Sequence, residues 1–428
     1  MGRALRIAIV GGGAAGATLG ALLAERGADV AIFHDGRRPP LVVGESLVPA
    51  IVPILRRLGI EDEVAALGVH KPGVTFAWGP DDVYRFLFVR FAGRFPPYAY
   101  NVPRPAFDDL VLARARKAGA RVVARRVALA PAEGGGVALD APSRAAAGWD
   151  EAAPDFVADA SGRTRAIART LGLSERRGPR DDVAHFAHYT GFDWDETPGT
   201  VLISRLAAGW SWRIPLRSAL SVGVVVPRDV AARWGASPEE RLERAIAEEP
   251  TLAAAGRRRK RVTDVMTYSN YQLVTEQGQG PGWALLGDAF GFVDPMLSPG
   301  VFLALRSAEL LADALAPPAD RTRAAGEMGD VGPRLVGYQA AMHLLFDAWL
   351  ELIETLYSGN LFGLYRAGTD LVREHNNLFT RLMERHIGLH IAGMAAGVRT
   401  TSPYSRGLIR TLSKYGMRGV DPRELAVR

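Results

Sequence analysis

Short β-branched runs alternate with stretches in which apolar residues recur every three or four positions, a rhythm that predicts an α/β chain. Arg6-Ile7-Ala8-Ile9-Val10 reads as a buried parallel strand. The helix after it carries Leu19, Leu22 and Leu23 on one face and ends before Gly27. Asp29-Val30-Ala31-Ile32-Phe33 predicts a second strand. A helix with Ile51, Ile54, Leu55 and Leu58 follows, with Ser46 as its expected cap. Strands are expected at 74–79, 84–91 and 120–127, with a helix from the 102–110 segment to Gly119 between the last two. The Ala/Gly/Pro-rich stretch 130–154 predicts a hairpin that closes on Phe156-Val157-Ala158-Asp159. From 183 to 226 the pattern changes to antiparallel strands at 200–206, 210–215 and 220–226. A buried strand at 283–286, an apolar helix over 301–315 and helices from 333 to about 394 complete the reading.

Between the first strand and its helix stands Gly11-Gly12-Gly13-Ala14-Ala15-Gly16. The Gly-x-Gly-x-x-Gly spacing suits a dinucleotide. Gly11 permits the tight turn, Gly13 lets a pyrophosphate approach the backbone, and Gly16 allows close packing of helix on strand. Ala14 and Ala15 begin the helix whose free N–H groups and positive dipole end would hold the phosphates. An acidic residue should close the second strand and hold the ribose hydroxyls. The chain has His34-Asp35 there, so either His34 or Asp35 could make that contact. The expected organisation is a doubly wound nucleotide-binding part, discontinuous over 1–72, 100–180 and 270–320, interrupted by an antiparallel sheet from 73–99 and 181–269. A C-terminal helical region covers 321–428.

Composition narrows this picture. A chain of 428 residues, 48% hydrophobic, can build two or three domains around a substantial core. It has no cysteine, which excludes disulfides, thiolate metal sites and cysteine nucleophiles, and no metal site is expected. No apolar run matches a membrane span, and a strand beginning at residue 6 leaves no room for a signal peptide, so the expected location is the cytoplasm. The net charge of +6 suits an anionic cofactor or an acidic partner and is too diffuse to argue for nucleic acid. The densest basic run, Arg257 to Arg261, reads as a solvated loop that could also meet an acidic carrier.

The glycine turn, the Asp159-Ala160-Ser161-Gly162 segment and Gly287-Asp288-Ala289, in this order, resemble the flavoprotein monooxygenases of the p-hydroxybenzoate-hydroxylase-like fold. The resemblance covers about residues 5–316 and implies an α/β fold: a Rossmann-like FAD-binding domain with an inserted, mostly antiparallel β-sheet substrate domain. It implies bound FAD, with Asp288 on the ribityl chain, Arg104 along the cofactor, and Asp159 shaping the cofactor side. It further implies cofactor contacts from Glu45, Ser46, Gly287, Pro295, Gly300 and Val301.

Two further motifs resemble the flavin-dependent halogenases. Gly209-Trp210-Ser211-Trp212-Arg213-Ile214-Pro215 matches the family's Trp-x-Trp-x-Ile-Pro signature, and Phe292 to Gly300 matches Phe-x-x-Pro-x-x-Ser-x-Gly. Lys71 stands where these enzymes keep a catalytic lysine. The resemblance implies that reduced FAD (FADH2), O2 and chloride or bromide yield hypohalous acid. Trp210 and Trp212 would wall the organic substrate off the flavin, and Lys71 would hydrogen-bond or capture the hypohalous acid and present halogen to an electron-rich ring. The bland alternatives are two core aromatics on one face of a strand and an ordinary lysine before a turn. The halide would sit on backbone N–H groups of the Ser298–Val301 loop, beside Gly300.

The sequence departs from that pattern twice. Pro299 lacks the N–H that the family uses as a halide donor, so either Gly300 and a neighbour suffice or the site is altered. Leu297 stands where tryptophan halogenases carry a glutamate, which favours a phenol or pyrrole, free or tethered to an acyl or peptidyl carrier protein. An external NAD(P)H-dependent flavin reductase is the other implied partner. The competing readings are an aromatic hydroxylase on the same frame and a non-catalytic flavoprotein that binds a carrier or nucleic acid through the basic run.

Overall fold

The computed structural model describes residues 3–79, 82–91, 93–150, 152–317, 331–417 and 419–427. Residues 321–330 of the expected C-terminal region therefore lie outside the described residues.

The β-branched runs form a six-stranded sheet in the spatial order Gln279–Gly280, Trp283–Leu285, Phe156–Asp159, Arg6–Val10, Asp29–Phe33 and Arg121–Val123. All pairings are parallel except the terminal Gln279–Gly280 strand. Val10 is in register with both Phe33 and Asp159, and Asp159 with Leu285, so these strands end level. Their exit loops, beginning at Gly11, His34, Ala160 and Leu286, emerge on one edge of the sheet. In open α/β sheets, ligands bind at this carboxyl edge. The glycines of the first loop follow the expected logic. A Cβ on Gly11 (φ +109°) would stand 2.3 Å from the Ala160 carbonyl, and one on Gly16 would stand 2.0 Å from the Gly11 carbonyl. At Gly13 a Cβ would meet nothing within 4 Å, which leaves the backbone at the start of the Ala14–Ala24 helix open to a ligand.

A second, nine-stranded sheet runs Gly291–Phe292, Met266–Thr275, Glu175–Thr190, Leu220–Pro227, Trp210–Pro215, Val201–Arg205, Gly73–Ala77 and Val83–Leu87, with Lys260–Arg261 beside Glu175–Thr190. Only the Val201–Arg205 and Gly73–Ala77 pairing is parallel. Glu175–Thr190 and Met266–Thr275 run straight through the boundaries expected at 180/181 and 269/270. These long strands link the two halves mechanically. Helices Arg228–Trp234, Pro238–Glu248 and Pro250–Ala255, unforeseen from the pattern, accompany a separate core of Tyr189, Val222, Val224, Leu242 and Ile246.

Local differences from the expected elements have simple causes. Ser46 caps no helix: Pro49–Ile51 is a 3-10 turn leading into Val52–Leu58, and the Ser46 hydroxyl is taken by Lys71 instead. The strand expected at 84–91 stops at Leu87, where Phe88–Phe91 turns into a 3-10 helix. Helices Gly332–Tyr357, Asn360–Glu374, Leu378–Ala395 and Pro403–Tyr415 complete the C-terminal part. Among the described residues no helix is long and apolar enough to cross a membrane.

Candidate active site

Two cavities meet beneath the carboxyl edge of the parallel sheet. The larger, about 520 Å³, takes Gly13, Ala14 and Ala15 from the glycine turn, and Glu45, Ser46, Arg104 and Asp288 from the loops that follow. Pro295, Ser298, Gly300 and Val301 close one side of it, and Trp210 and Trp212 another. The smaller, about 50 Å³, is apolar and contains Lys71. Val201, Ile203, Met296 and Ser298 line both, so they form the partition between them.

Lys71 owes its place to pairing. It ends the short strand Val69–Lys71, which binds Ala99–Asn101 antiparallel, and this turns its side chain inward. Its ammonium donates to Ser46 Oγ at 2.8 Å and to the Leu47 carbonyl at 2.9 Å, with the Phe88 ring centroid 5.7 Å away. It is 2% exposed and has no ion-pair partner among the described residues. Burial disfavours the charged form and lowers its pKa from 10.5 to about 7.

The tryptophans sit on Trp210–Pro215, two positions apart and therefore on one face, with ring centroids 5.7 Å apart. Both are buried and both face the larger cavity rather than the Lys71 cavity. Trp212 Nε1 donates to Ser221 Oγ, and Gly223 supplies the room its ring needs, since a Cβ there would lie 2.2 Å from it. Trp210 Nε1 donates to the Tyr357 hydroxyl at 2.8 Å, which donates to Asp294 Oδ2 at 2.9 Å. Asp294 Oδ1 accepts from Met296 N, so one buried chain joins the tryptophan wall to the loop that carries Ser298.

That loop is tightly wound. Ser298 adopts the left-handed conformation (φ +57°), uncommon for a residue with a Cβ. Pro299 precedes the helix Gly300–Leu315, leaving the first amides of that helix without intrahelical acceptors at the cavity wall. A Cβ on Gly300 would meet no atom within 4 Å.

The remaining predicted residues divide. Arg104 Nη1 donates to the Val43 carbonyl and Nη2 reaches Asp108, while its buried Nε lacks a partner. Gly287 adopts φ +56° beneath Asp288, and its N–H is held by Ser307. Burial raises the Asp288 carboxyl above the usual carboxylate range, against the pull of Arg163 and Arg104. Asp159 was expected at the cofactor, but it is fully buried, does not line the cavity, and accepts from Ser161 N and Ile167 N. It fixes the turn after its strand. Asp35 is not brought to the cavity either: the strand ends at Phe33, and the exposed carboxylate turns back to accept from Arg37 N. His34 packs on Gly12.

Sequence reasoning missed several lining groups. Arg163, which stacks over Tyr268 and Phe292 with its guanidinium carbon 5.0 and 4.6 Å from the ring centroids, carries no local signal beyond following a glycine. His188 lines neither cavity but holds a residue that does: its Nε2 lies 2.8 Å from Glu45 Oε1, reached from a strand 143 residues away. Leu361, Phe362 and Ile391, from the terminal helices, line the Lys71 cavity.

The open backbone at Gly13, the orphaned Arg104 Nε and the Asp288 carboxyl, all on one cavity, fit a dinucleotide with a hydroxylated chain. The "FAD binding domain" family matches residues 4–326, and the chain belongs to that family. Similar proteins include several halogenases. The chain is 30% identical over 372 residues to tryptophan 2-halogenase of Chondromyces crocatus, a match covering 83% of this chain and 68% of that one. It is 29% identical over 335 residues, 71% of this chain and 74% of the other, to 1H-pyrrole-2-carbonyl-[peptidyl-carrier protein] chlorinase of Pseudomonas fluorescens. Among solved structures, the myxobacterial chondrochloren halogenase CndH superposes with a TM-score of 0.67 at 26% identity, covering 99% of each chain. This chain is a flavin-dependent halogenase, an oxidoreductase that uses FAD and a halide.

Proposed function

We propose that this enzyme halogenates an electron-rich phenolic or pyrrolic ring through Lys71. The observation that carries the reading is the position of Lys71, buried in a small apolar cavity that shares Ser298 and Met296 with the cofactor cavity. Reduced FAD, renewed by a separate NAD(P)H-dependent reductase, supplies with O2 the oxidant that turns chloride or bromide into hypohalous acid. Backbone amides at the start of Gly300–Leu315 hold the halide. Trp210 and Trp212 keep the ring off the cofactor face, and Ser298 lies on the route between the cavities.

Lys71 then acts in one of two ways. Its ammonium can donate a hydrogen bond to hypohalous acid, or its neutral amine can form an N–halogen bond as water leaves. A pKa near 7 makes both forms accessible at neutral pH. The ring's electron pair takes the halogen, the lysine is restored, and the ring loses a proton. The described residues lining the Lys71 cavity include no carboxylate, Leu297 among them. This supports a ring activated by its own oxygen or nitrogen. The relative that acts on a carrier-bound pyrrole supports a tethered substrate, and the tryptophan-named relative argues for including indoles in the test.

A hydroxylase reading has one specific feature in its favour, the missing N–H of Pro299. A mass-spectrometric assay with FAD, a flavin reductase, NADH and O2 separates the two. Phenols, pyrroles and indoles would be offered in chloride, bromide and halide-free buffer, with Lys71→Ala alongside. Halogen-shifted products lost in the variant are expected. Hydroxylated products without halide would overturn ring halogenation through Lys71.

A further inference from the structure

Beyond the two cavities of the active site lies a third, an open groove of about 590 Å³ between Val83–Leu87 and the helix Leu378–Ala395. Four arginines line it, Arg85, Arg90, Arg94 and Arg385, against a single carboxylate, Glu384. Arg85 is engaged by Glu196 at 3.4 Å, whereas Arg90, Arg94 and Arg385 are exposed and have no ion-pair partner among the described residues. Three uncompensated guanidinium groups repel one another, and such a cluster is stabilised by a multivalent anion, to which arginine binds with paired N–H groups.

The groove abuts the Lys71 cavity through Phe86, which lines both. Phe86 packs edge-on against Tyr365, centroids 4.8 Å apart, and the pair forms the wall between groove and cavity. The Lys71 cavity holds only about 50 Å³, whereas a cavity that accepts benzene measures about 150 Å³. An aromatic ring therefore displaces part of this wall when it binds, and Phe86 faces open space on the groove side.

The lip of the groove is apolar and unpartnered. Leu378, Phe379 and Leu382 open the Leu378–Ala395 helix at 74%, 68% and 54% exposure. Leu378, Leu382, Arg385 and Leu389 follow the i, i+4, i+7, i+11 spacing of one helix face, running from the exposed lip down into the groove. Val89, 64% exposed, stands beside Arg90. Apolar side chains ringed by arginines match a small acidic protein with an apolar helix face better than they match a neutral substrate.

We propose that this groove docks a phosphopantetheinylated carrier protein, the arginines taking the phosphodiester of its arm and the Leu378–Leu382 lip taking its acidic, amphipathic helix. The inference rests on the proposed ring halogenation and adds to it the side from which the ring arrives, past Phe86. The Arg257–Arg261 run is a poorer candidate. Arg258 and Arg259 are already paired with Asp193 and Glu243, and none of the five lines any of the three cavities.

The test uses the full-length enzyme and a pyrrole-2-carbonyl-loaded peptidyl carrier protein, with binding followed by fluorescence anisotropy. Arg90→Glu/Arg94→Glu/Arg385→Glu is expected to weaken binding at least tenfold and to leave halogenation of a free phenol unchanged. Leu382→Asp, a second and independent probe, is expected to weaken it several-fold, and Arg257→Glu/Arg258→Glu to change nothing. The carrier lacking its phosphopantetheine arm should bind at least tenfold more weakly to the wild type. Equal affinity of wild type and triple variant overturns the docking site. So does a wild type that halogenates free phenols and binds no carrier, and that result leaves the Lys71 reading intact. Arginine-dependent carrier binding without any halogenated product retains the docking site and removes the proposed halogenation of phenols and pyrroles through Lys71.

Discussion

Lys71 Nζ lies 2.8 Å from Ser46 Oγ, and among the described residues this hydroxyl and one backbone carbonyl are the hydrogen-bond acceptors of a buried ammonium. Two neutral acceptors stabilise the charge less than water does, so the group titrates near 7 instead of 10.5. If the amine is the reacting form, kcat/KM for halogenation rises with pH through about 7 and levels off above it. A profile that falls with pH through about 7 would assign the work to the ammonium. Lys71→Ala should lower turnover by about two orders of magnitude or more while flavin still binds, as read by flavin fluorescence.

The same shift makes a stability prediction. Between pH 7 and 10.5 the unfolded chain holds the Lys71 proton that the folded chain has released, so this group's contribution to stability rises with pH across that window. Below pH 7 both states are protonated and the full cost of the buried charge remains. Lys71→Met should therefore raise the melting temperature most below pH 7, with the gain shrinking toward pH 10. Differential scanning calorimetry at several pH values measures it.

At the helix start, Gly300→Ala should fold well, because the added Cβ meets no atom and glycine within a helix costs about 0.5–1 kcal/mol relative to alanine. Its methyl group would occupy the cavity wall where the halide is proposed to sit, so the halide concentration for half-maximal turnover should rise severalfold. Pro299→Thr supplies an N–H at the same loop. One added hydrogen bond to an anion, about 1.5 kcal/mol or more, predicts about a tenfold fall in that concentration.

Tyr357→Phe cuts the chain from Trp210 to Asp294 and takes away the acceptor of the buried Trp210 indole N–H. A loss of about 1–3 kcal/mol in urea unfolding is expected. The tryptophan wall should loosen with it, seen as a change in Trp fluorescence.

The two aspartates of the nucleotide side should separate cleanly. Asp159→Asn is expected to destabilise the fold by about 1–3 kcal/mol, since its two oxygens hold two backbone N–H groups. Asp288→Asn should hold or raise stability, since burial already disfavours the charged carboxyl, and weaken FAD binding about tenfold or more by removing an acceptor from the cavity. Isothermal titration with FAD distinguishes them.

The parallel sheet was legible because continuous β-branched runs and a glycine turn leave little choice of structure, and Lys71, Trp210 and Trp212, whose roles are proposals, could be singled out because their motifs are local. What depended on distant contacts was not. Asp159 reads like a cofactor ligand, yet backbone donors two and eight residues away claim it first. Ser46 sits before a helix like a cap, but a lysine 25 residues on captures its hydroxyl. The helices over 228–255 escaped because strand periodicity dominated their surroundings, although Ser237 and Glu240 form a capping box that local reading could have found.

The helices that wall the Lys71 cavity with Leu361, Phe362 and Ile391 all lie beyond residue 326, where the match to the cofactor-binding family ends. One side of the proposed ring pocket is thus encoded apart from the cofactor-binding stretch, while Lys71 and the opposite wall lie within it. Substitutions in the terminal helices can reshape the ring pocket and leave the glycine turn and Asp288 untouched. Grafting the terminal helices of a relative would therefore change one wall of that pocket and keep the cofactor side as it is.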